Sequence, residues 1–352
     1  MTFAEARSAF PVLERVAYLN AGTFGPLARR TVEVVQERQR RDLDRGRSSP
    51  EYFAEVSRLR DQARERLARL LGVAAEHVAL VTSTSDACQI VVAGLDVGRE
   101  DEIVTTDSEH FGLLGALHSS QARVRVAAPT PDAILGEVTP RTRLLALSHV
   151  LWTTGNVLPV HRVKEETGLP VLVDGAQSVG AIDVAAAGVD FYTVSGQKWI
   201  CGPDSTGGLY VAEPERLRVA RPTYFAQESY DRDGSFQPRP GAARFDSWWI
   251  PPAALAGLVA AIDGAPAWRV ERTVTMAGEC RELLGARFEV VTARGQSGLV
   301  SFRPRGDAAG VAARLYERGV VVRDVPGRDL VRASCGYWTS SDDLERLLDA
   351  LG

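Results

Sequence analysis

The sequence predicts an α/β fold: a large domain on a mainly parallel β-sheet, followed by a small C-terminal α+β domain. Two observations carry this prediction. Short β-rich runs alternate with helix-like or turn-rich stretches through most of the chain, and after Gly264 a long helix pattern is followed by closely spaced strand candidates. Size sets the bound: 352 residues, 45% hydrophobic and 24% charged, can bury a large core and form more than one domain.

Taken in order, Thr31 to Leu71 carries Arg, Glu, Leu and Val at helical spacing, broken at Gly46 to Pro50 and closed by Gly72, which predicts two helices with a glycine stop. Strands are predicted at Val78 to Thr82, Ile103 to Thr106, Arg123 to Ala127, Leu144 to Ser148, Val171 to Asp174, Asp190 to Val194 and Gly208 to Val211. Asp86 to Leu95 reads as a helix, Pro238 to Pro240 as a loop and Pro251 to Ile262 as a small-residue helix. Beyond them come a helix at Trp268 to Leu284, strands at Phe288 to Val291 and Leu299 to Arg303, and a helix at Ala308 to Arg318. Strands at Val320 to Val325 and Leu330 to Cys335 and a helix from Ser341 complete the chain. We therefore expect residues 18–264 to form the large domain, 265–352 the small one, and 1–17 to pack with the small domain.

Composition removes several function classes. A net charge of −4, with arginines scattered among acids, offers no basic field for nucleic acid. The longest apolar run, Ala253 to Ile262, is far short of the ~18 residues a membrane span needs. The start MTFAEARSAF lacks a basic region followed by an apolar one, so a cytoplasmic protein is expected. Four cysteines without a C-x-x-C and five histidines without a helical pair suggest neither a metal site nor a disulfide framework. Of 41 basic residues two are lysines, Lys164 and Lys198, and 39 are arginines. Any lysine-dependent chemistry therefore has two candidates.

The stretch from Leu169 to Val211 places Asp174 at the end of a buried strand and Lys198 on a glycine-flanked turn beyond a second strand. Both fall at the carboxyl edge of the sheet, where ligands of α/β folds collect. A carboxylate and a lone amine there suit pyridoxal 5′-phosphate (PLP): the amine forms a Schiff base with the aldehyde and the carboxylate holds the pyridinium nitrogen protonated. Lys164, in H-R-V-K-E-E-T-G, reads as a helical surface residue. Ser83, Thr84 and Ser85 lie between a strand and a helix, where hydroxyls, free N–H groups and the helix dipole favour an anion.

The order V-D-G-A-Q-S, then D-F-Y-x-x-S-G-x-K, then S-T-G-G-L-Y resembles the class V aminotransferase family of fold-type I PLP enzymes, which includes cysteine desulfurases, selenocysteine lyases and isopenicillin N epimerase-like proteins. The resemblance runs from YLNAG at Tyr18 to VRAS at 331–334. It implies a seven-stranded large domain, a small C-terminal domain, a homodimer with active sites at the subunit boundary, and an amino-acid substrate. It also implies that Lys198 is the Schiff-base lysine, Asp174 the partner of the pyridine nitrogen and Gln177 a donor to the phenolic oxygen. Ser195 and Gln197, with Ser83, Thr84 and Ser85, then hold phosphate. Phe111, in S-E-H-F-G, falls where desulfurases place a histidine that stacks on the cofactor, and His110 beside it is expected to point elsewhere. Arg332 becomes the carboxylate clamp, with Asn20, Thr23, Trp152 and Thr153 lining the substrate pocket. In RFDSWW, Trp249 replaces a threonine that in relatives reaches the partner subunit's phosphate.

The segment from Arg323 to Val331 contains no cysteine where desulfurases carry a persulfide-forming one. The expected activity is therefore attack on an α-amino acid through an α-carbanion, with C–S cleavage by β-elimination and no persulfide cysteine. Epimerase or aminotransferase chemistry is the alternative, and a non-catalytic scaffold the reading of another class.

Overall fold

The computed structural model describes residues 1–352. It begins with α1 (Phe3–Ser8) and β1 (Ala17–Tyr18), then the helices α2 (Arg29–Arg45) and α3 (Pro50–Leu71), the latter ended by Gly72 in the left-handed region at φ +68°. The large domain continues β2 (Val78–Val81), α4 (Thr84–Leu95), β3 (Glu102–Thr106), α5 (Phe111–His118), β4 (Arg123–Ala127), α6 (Pro131–Gly136) and β5 (Thr142–Ser148). Next come α7 (Val160–Thr167), β6 (Val171–Asp174), β7 (Phe191–Ser195), β8 (Gly207–Val211), the hairpin β9 (Gln227–Tyr230) and β10 (Phe236–Pro238), and α8 (Pro252–Asp263). The C-terminal part holds α9 (Arg269–Gly285), β11 (Glu289–Val290), β12 (Leu299–Arg303), α10 (Ala308–Glu317), β13 (Val320–Val321), β14 (Arg323–Val325), β15 (Leu330–Ser334) and α11 (Ser341–Leu351).

Seven strands form the main sheet in the order β2-β8-β7-β6-β5-β3-β4, parallel except where β8 runs against β2 and β7. Alternation along each strand supplies two cores: Leu145, Leu147, Val171 and Val173 pack toward α3, α7 and α8, whereas Leu144, Ala146 and Leu172 pack toward α4 and α5. A sheet covered on both faces needs apolar residues at every position, which is why these runs read as continuous.

The smaller sheet, β11-β12-β15-β14, is antiparallel and is backed by α9, α10 and α11. The expected strand Val320 to Val325 divides in two. Val320 and Val321 pair with β1, and after Val322 the backbone changes partner so that β14 pairs with β15. Pro238, expected in a loop, ends an edge strand of the β9–β10 hairpin, where a missing N–H costs no ladder bond. At the N-terminus, Arg7 pairs with Asp343 at 2.7 Å and Phe10 packs on Tyr337 and Trp338.

The edge strand β2 has its outer backbone groups covered by a buried ion cluster. Asp246, fully buried, accepts the Leu80 N–H at 2.8 Å and contacts Arg60 and Arg64 at 2.8 Å each. Ser247 N–H donates to the Leu80 carbonyl at 2.9 Å and Arg64 to that of Val78. Burial opposes the Asp246 charge, but the two guanidiniums more than offset it and hold the carboxyl below its ordinary range. Asp246→Asn leaves two nearly buried guanidiniums without a counter-ion. We expect it to cost about 3–5 kcal/mol in urea unfolding; a loss below about 1 kcal/mol would show the cluster to behave as a solvated surface pair.

Candidate active site

Lys198 is placed by two glycines. The turn after β7 folds back so that Gly196 N–H donates to Thr206 O and Gly202 N–H to Gly196 O, each at 2.8 Å. A Cβ on Gly196 would lie 2.1 Å from Thr206 Oγ1. From the other side Gly25 N–H donates to Gln197 O at 2.8 Å, and a Cβ there would lie 2.1 Å from the Lys198 carbonyl. The N-terminal loop and the lysine turn therefore close only because both positions lack a side chain. Burial, and then the charges of Arg332 and Arg323, push the Lys198 ammonium down to about 8, with Asp174 opposing them. An amine so placed becomes a neutral nucleophile near physiological pH.

Asp174 ends β6, where Ala176 N–H (2.8 Å) and Thr193 Oγ1 (3.5 Å) donate to Oδ1. The buried Gln177 amide accepts the Trp199 indole N–H at 3.0 Å and donates to Gly22 O at 2.8 Å. That fixes its orientation and leaves one amide hydrogen for a ligand.

The anion side is the N-terminus of α4. Ser83 caps it, accepting Asp86 N–H at 3.1 Å, while the Thr84 and Ser85 N–H groups and hydroxyls bond no protein acceptor. Ser195 Oγ donates to Gln197 Oε1 at 2.8 Å beside them. Trp249, half-buried, packs on Phe225 with ring centroids 5.3 Å apart, and Ser247 Oγ donates to Asp86 of α4.

At α5 the sequence expectation is reversed. Phe111 is 79% exposed, outside the cleft, because the helix begins at that residue. His110, the N-cap, lines the cleft, its ring set edge-on to Trp152 at 5.3 Å. Its Nδ1 accepts Gly112 N–H at 3.1 Å, which assigns the hydrogen of the neutral ring to Nε2. Although open to solvent at the cleft mouth, the imidazole is held below its ordinary value by partial desolvation and then by the charge of Lys198. The S-E-H segment is thus read correctly one position earlier, as a cap and not as part of the helix.

Arg332 on β15 is 1% exposed; it donates to Trp152 O at 2.8 Å and, more weakly, to Thr23 Oγ1 at 3.4 Å, while its Nε has no partner. Arg323 lies directly opposite it across the β14–β15 hairpin and lines the same cleft. Neither makes a salt bridge, and burial followed by the Arg323 charge presses Arg332 below its ordinary value. Sequence reasoning missed Arg323. The signal was available, since a four-residue turn at Pro326-Gly327-Arg328-Asp329 with equal arms sets residues 323 and 332 face to face.

A cavity of about 220 Å³ therefore gathers Ser83, Thr84, Ser85, Asp174, Gln177, Ser195, Gln197, Lys198, Arg332, Thr23 and Trp152, and adds Gly22, Phe24, His110, Ala176 and Arg323. Asn20 and Thr153 stand behind it: Asn20 accepts Thr23 Oγ1 at 2.8 Å, and buried Thr153 bonds Ser301 through its carbonyl. The donor set fits PLP. It offers unpaired first-turn N–H groups for phosphate, a depressed amine for the aldehyde and a buried carboxylate for the ring nitrogen.

The aminotransferase class-V family model matches residues 19–347. The isopenicillin N epimerase of Streptomyces clavuligerus is 30% identical over 393 residues, covering 99% of this chain and 97% of its own. A probable cysteine desulfurase of Xylella fastidiosa (strain 9a5c) is 27% identical over 339 residues, 84% of this chain and 80% of its own. The cystine C–S lyase C-DES, solved with its reaction product cysteine persulfide, superposes with a TM-score of 0.89 at 27% identity, covering 97% and 98% of the two chains. The chain belongs to the class-V aminotransferase family, and is a PLP-dependent enzyme of its cysteine desulfurase and isopenicillin N epimerase branch.

Proposed function

We propose that this protein cleaves the Cβ–S bond of a sulfur-bearing α-amino acid by β-elimination and releases the sulfur fragment without storing it on an enzyme cysteine. The observation that carries this is a cleft with an activatable amine and two unpaired arginines but no thiol. The hairpin over it turns at Pro326-Gly327-Arg328-Asp329, and all four cysteines are buried outside the lining. Burial pushes the thiols of Cys88 and Cys201 up, and the hydrogen bond with Cys280, followed by burial, does the same for Cys335, the opposite of what a nucleophilic thiolate needs. The superposition on a cystine C–S lyase supports the same chemistry.

When bound, PLP supplies an aldehyde that condenses with amines and a ring that withdraws electrons from bonds at Cα. Lys198 would hold it covalently, Asp174 would keep the ring nitrogen protonated, and α4 with Ser195 and Gln197 would take the phosphate. Arg332 holds the substrate α-carboxylate. The Lys198 amine would take the Cα proton; that bond's electron pair would form Cα=Cβ as the Cβ–S pair leaves with the sulfur fragment. His110, with its hydrogen on Nε2, places a proton donor at the cleft mouth. Return of the Lys198 amine to its bond with the cofactor would free the product enamine, which tautomerises to an imine that water hydrolyses to a keto acid and ammonia.

Epimerisation is the second reading, favoured by the near full-length epimerase relative and by two proton-handling groups, Lys198 and His110, in one cleft. We also propose a homodimer: Phe24, which lines the cleft, Phe111 at the start of α5 and Trp248 are 50%, 79% and 63% exposed, large apolar side chains that a second copy would cover.

Purified holoenzyme offered cystine, cysteine conjugates and cysteine sulfoxides is expected to release pyruvate or another keto acid; deuterium uptake at Cα without keto acid would replace elimination by epimerisation. Lys198→Ala is expected to abolish borohydride-reducible cofactor attachment, and a reducible adduct in that variant would sink the site assignment. Loading of cofactor onto the apoprotein should accelerate as pH rises through about 8, where the Lys198 amine becomes neutral. Arg323→Gln removes a positive neighbour and should move that rise to higher pH; an unchanged or lower midpoint contradicts the electrostatic account.

A further inference from the structure

Glu109, next to His110, is 5% exposed yet serves no step above. Its carboxyl joins two strand ends. Thr106 Oγ1, at the end of β3, donates to Oε1 at 2.7 Å, and at the end of β5 Ser148 donates its N–H at 3.0 and 3.1 Å and its hydroxyl to Oε2. Ser148 is in turn the register partner of Asp174, whose carbonyl accepts the next N–H, His149, at 3.1 Å. One side chain thus clamps the loop that presents His110 and the strand against which Asp174 is laid.

We propose that Glu109 is a positioning residue of the cofactor cleft, holding His110 and Asp174 in place through Thr106 and Ser148, and that the cofactor senses its proton through Asp174. Every group that meets the carboxyl is a donor, which suits the ionised form, whereas burial opposes it. Burial dominates and raises the carboxyl to about 7, with the Ser148 and Thr106 bonds working against it and Asp174 with it. The ionisable groups facing it are Asp174 at the end of β6 and the buried Cys88 thiol of α4; β3 and β5 meet it with neutral hydroxyls, and no guanidinium or ammonium pairs with it. Above pH 7 the ionised carboxyl adds negative potential beside Asp174 and so favours a protonated cofactor ring. The inference is independent of which bond the enzyme breaks.

The test is the pH titration of the bound cofactor's visible absorption in the wild-type, Glu109→Gln and Ser148→Ala holoenzymes. The wild type should show a component near pH 7 that Glu109→Gln lacks while retaining its cofactor band. Ser148→Ala removes one donor to the carboxylate and should move the component up by about one pH unit. The apoproteins give a readout without cofactor. A carboxyl raised in the folded state binds its proton more tightly there than in the unfolded chain. Wild-type stability should therefore fall, relative to Glu109→Gln, as pH rises from about 4.5 to about 7. Coincident titrations in wild type and Ser148→Ala, or a flat stability difference between wild type and Glu109→Gln over that window, would overturn the proposal.

Discussion

The structure turns on an imbalance of charge in one cleft. An amine, two guanidiniums and the N-terminus of α4 converge on it, and the protein supplies a single carboxylate, Asp174, to its lining. Leaving cationic groups desolvated without counter-ions costs several kcal/mol each, a large share of the net stability of a folded domain. Such an arrangement persists only when the surrounding structure is rigid enough to hold it, and it becomes favourable when anions arrive. The phosphate of PLP and the carboxylate of an amino acid are anions of the kind such a cleft would favour, and its donors stand at the α4 N-terminus and at the arginine hairpin.

That demand explains features distant from the chemistry. Lys198 is fixed by backbone closure at Gly25 and Gly196, so its position does not depend on a side chain that a ligand could displace. The arginines sit on neighbouring strands of the small sheet, whose core also takes in Ala17 and Leu19 from the N-terminal segment. β1 pairs with β13, and Asn20 bridges Ser334 at the end of β15. The same short stretch that pins the lysine turn through Gly25 thus also pins the arginine hairpin, coupling the amine and the two guanidiniums mechanically. On the opposite flank, Asp246 and Ser247 tie the β2 edge to the start of α4 through Leu80 and Asp86.

Most of this was legible in the sequence because it rests on local chemistry. Buried parallel strands announce themselves as continuous apolar runs, Gly72 announces a helix end, and Lys198 stands out among 39 arginines. What was missed rests on partners far apart in the chain. The two-residue strand β1 has no pattern of its own and exists only because β13 is beside it. His110 and Phe111 differ by one position, and which ring enters the cleft depends on where α5 begins, a boundary set by the His110 cap and by Gly112, where a Cβ would lie 2.5 Å from Ser85 Oγ. Asn20 and Thr153 carry the right residue types in the right segments but act one layer back, through Thr23 and Ser301.

The recovery of His110 changes the chemical range of the site. With Phe111 in the cleft, Lys198 would be the sole group able to move a proton, and any reaction needing a second acid or base would depend on water. With His110 there, an imidazole held neutral stands within a cleft whose amine is itself depressed, so donor and acceptor are both available near neutral pH. Elimination would use such a pair asymmetrically, one group taking the Cα proton and the other serving the departing sulfur. Epimerisation uses them on the same carbon from different directions. One set of residues, Lys198 and His110 in a cleft that Arg323 and Trp152 also line, is thus chemically compatible with either use.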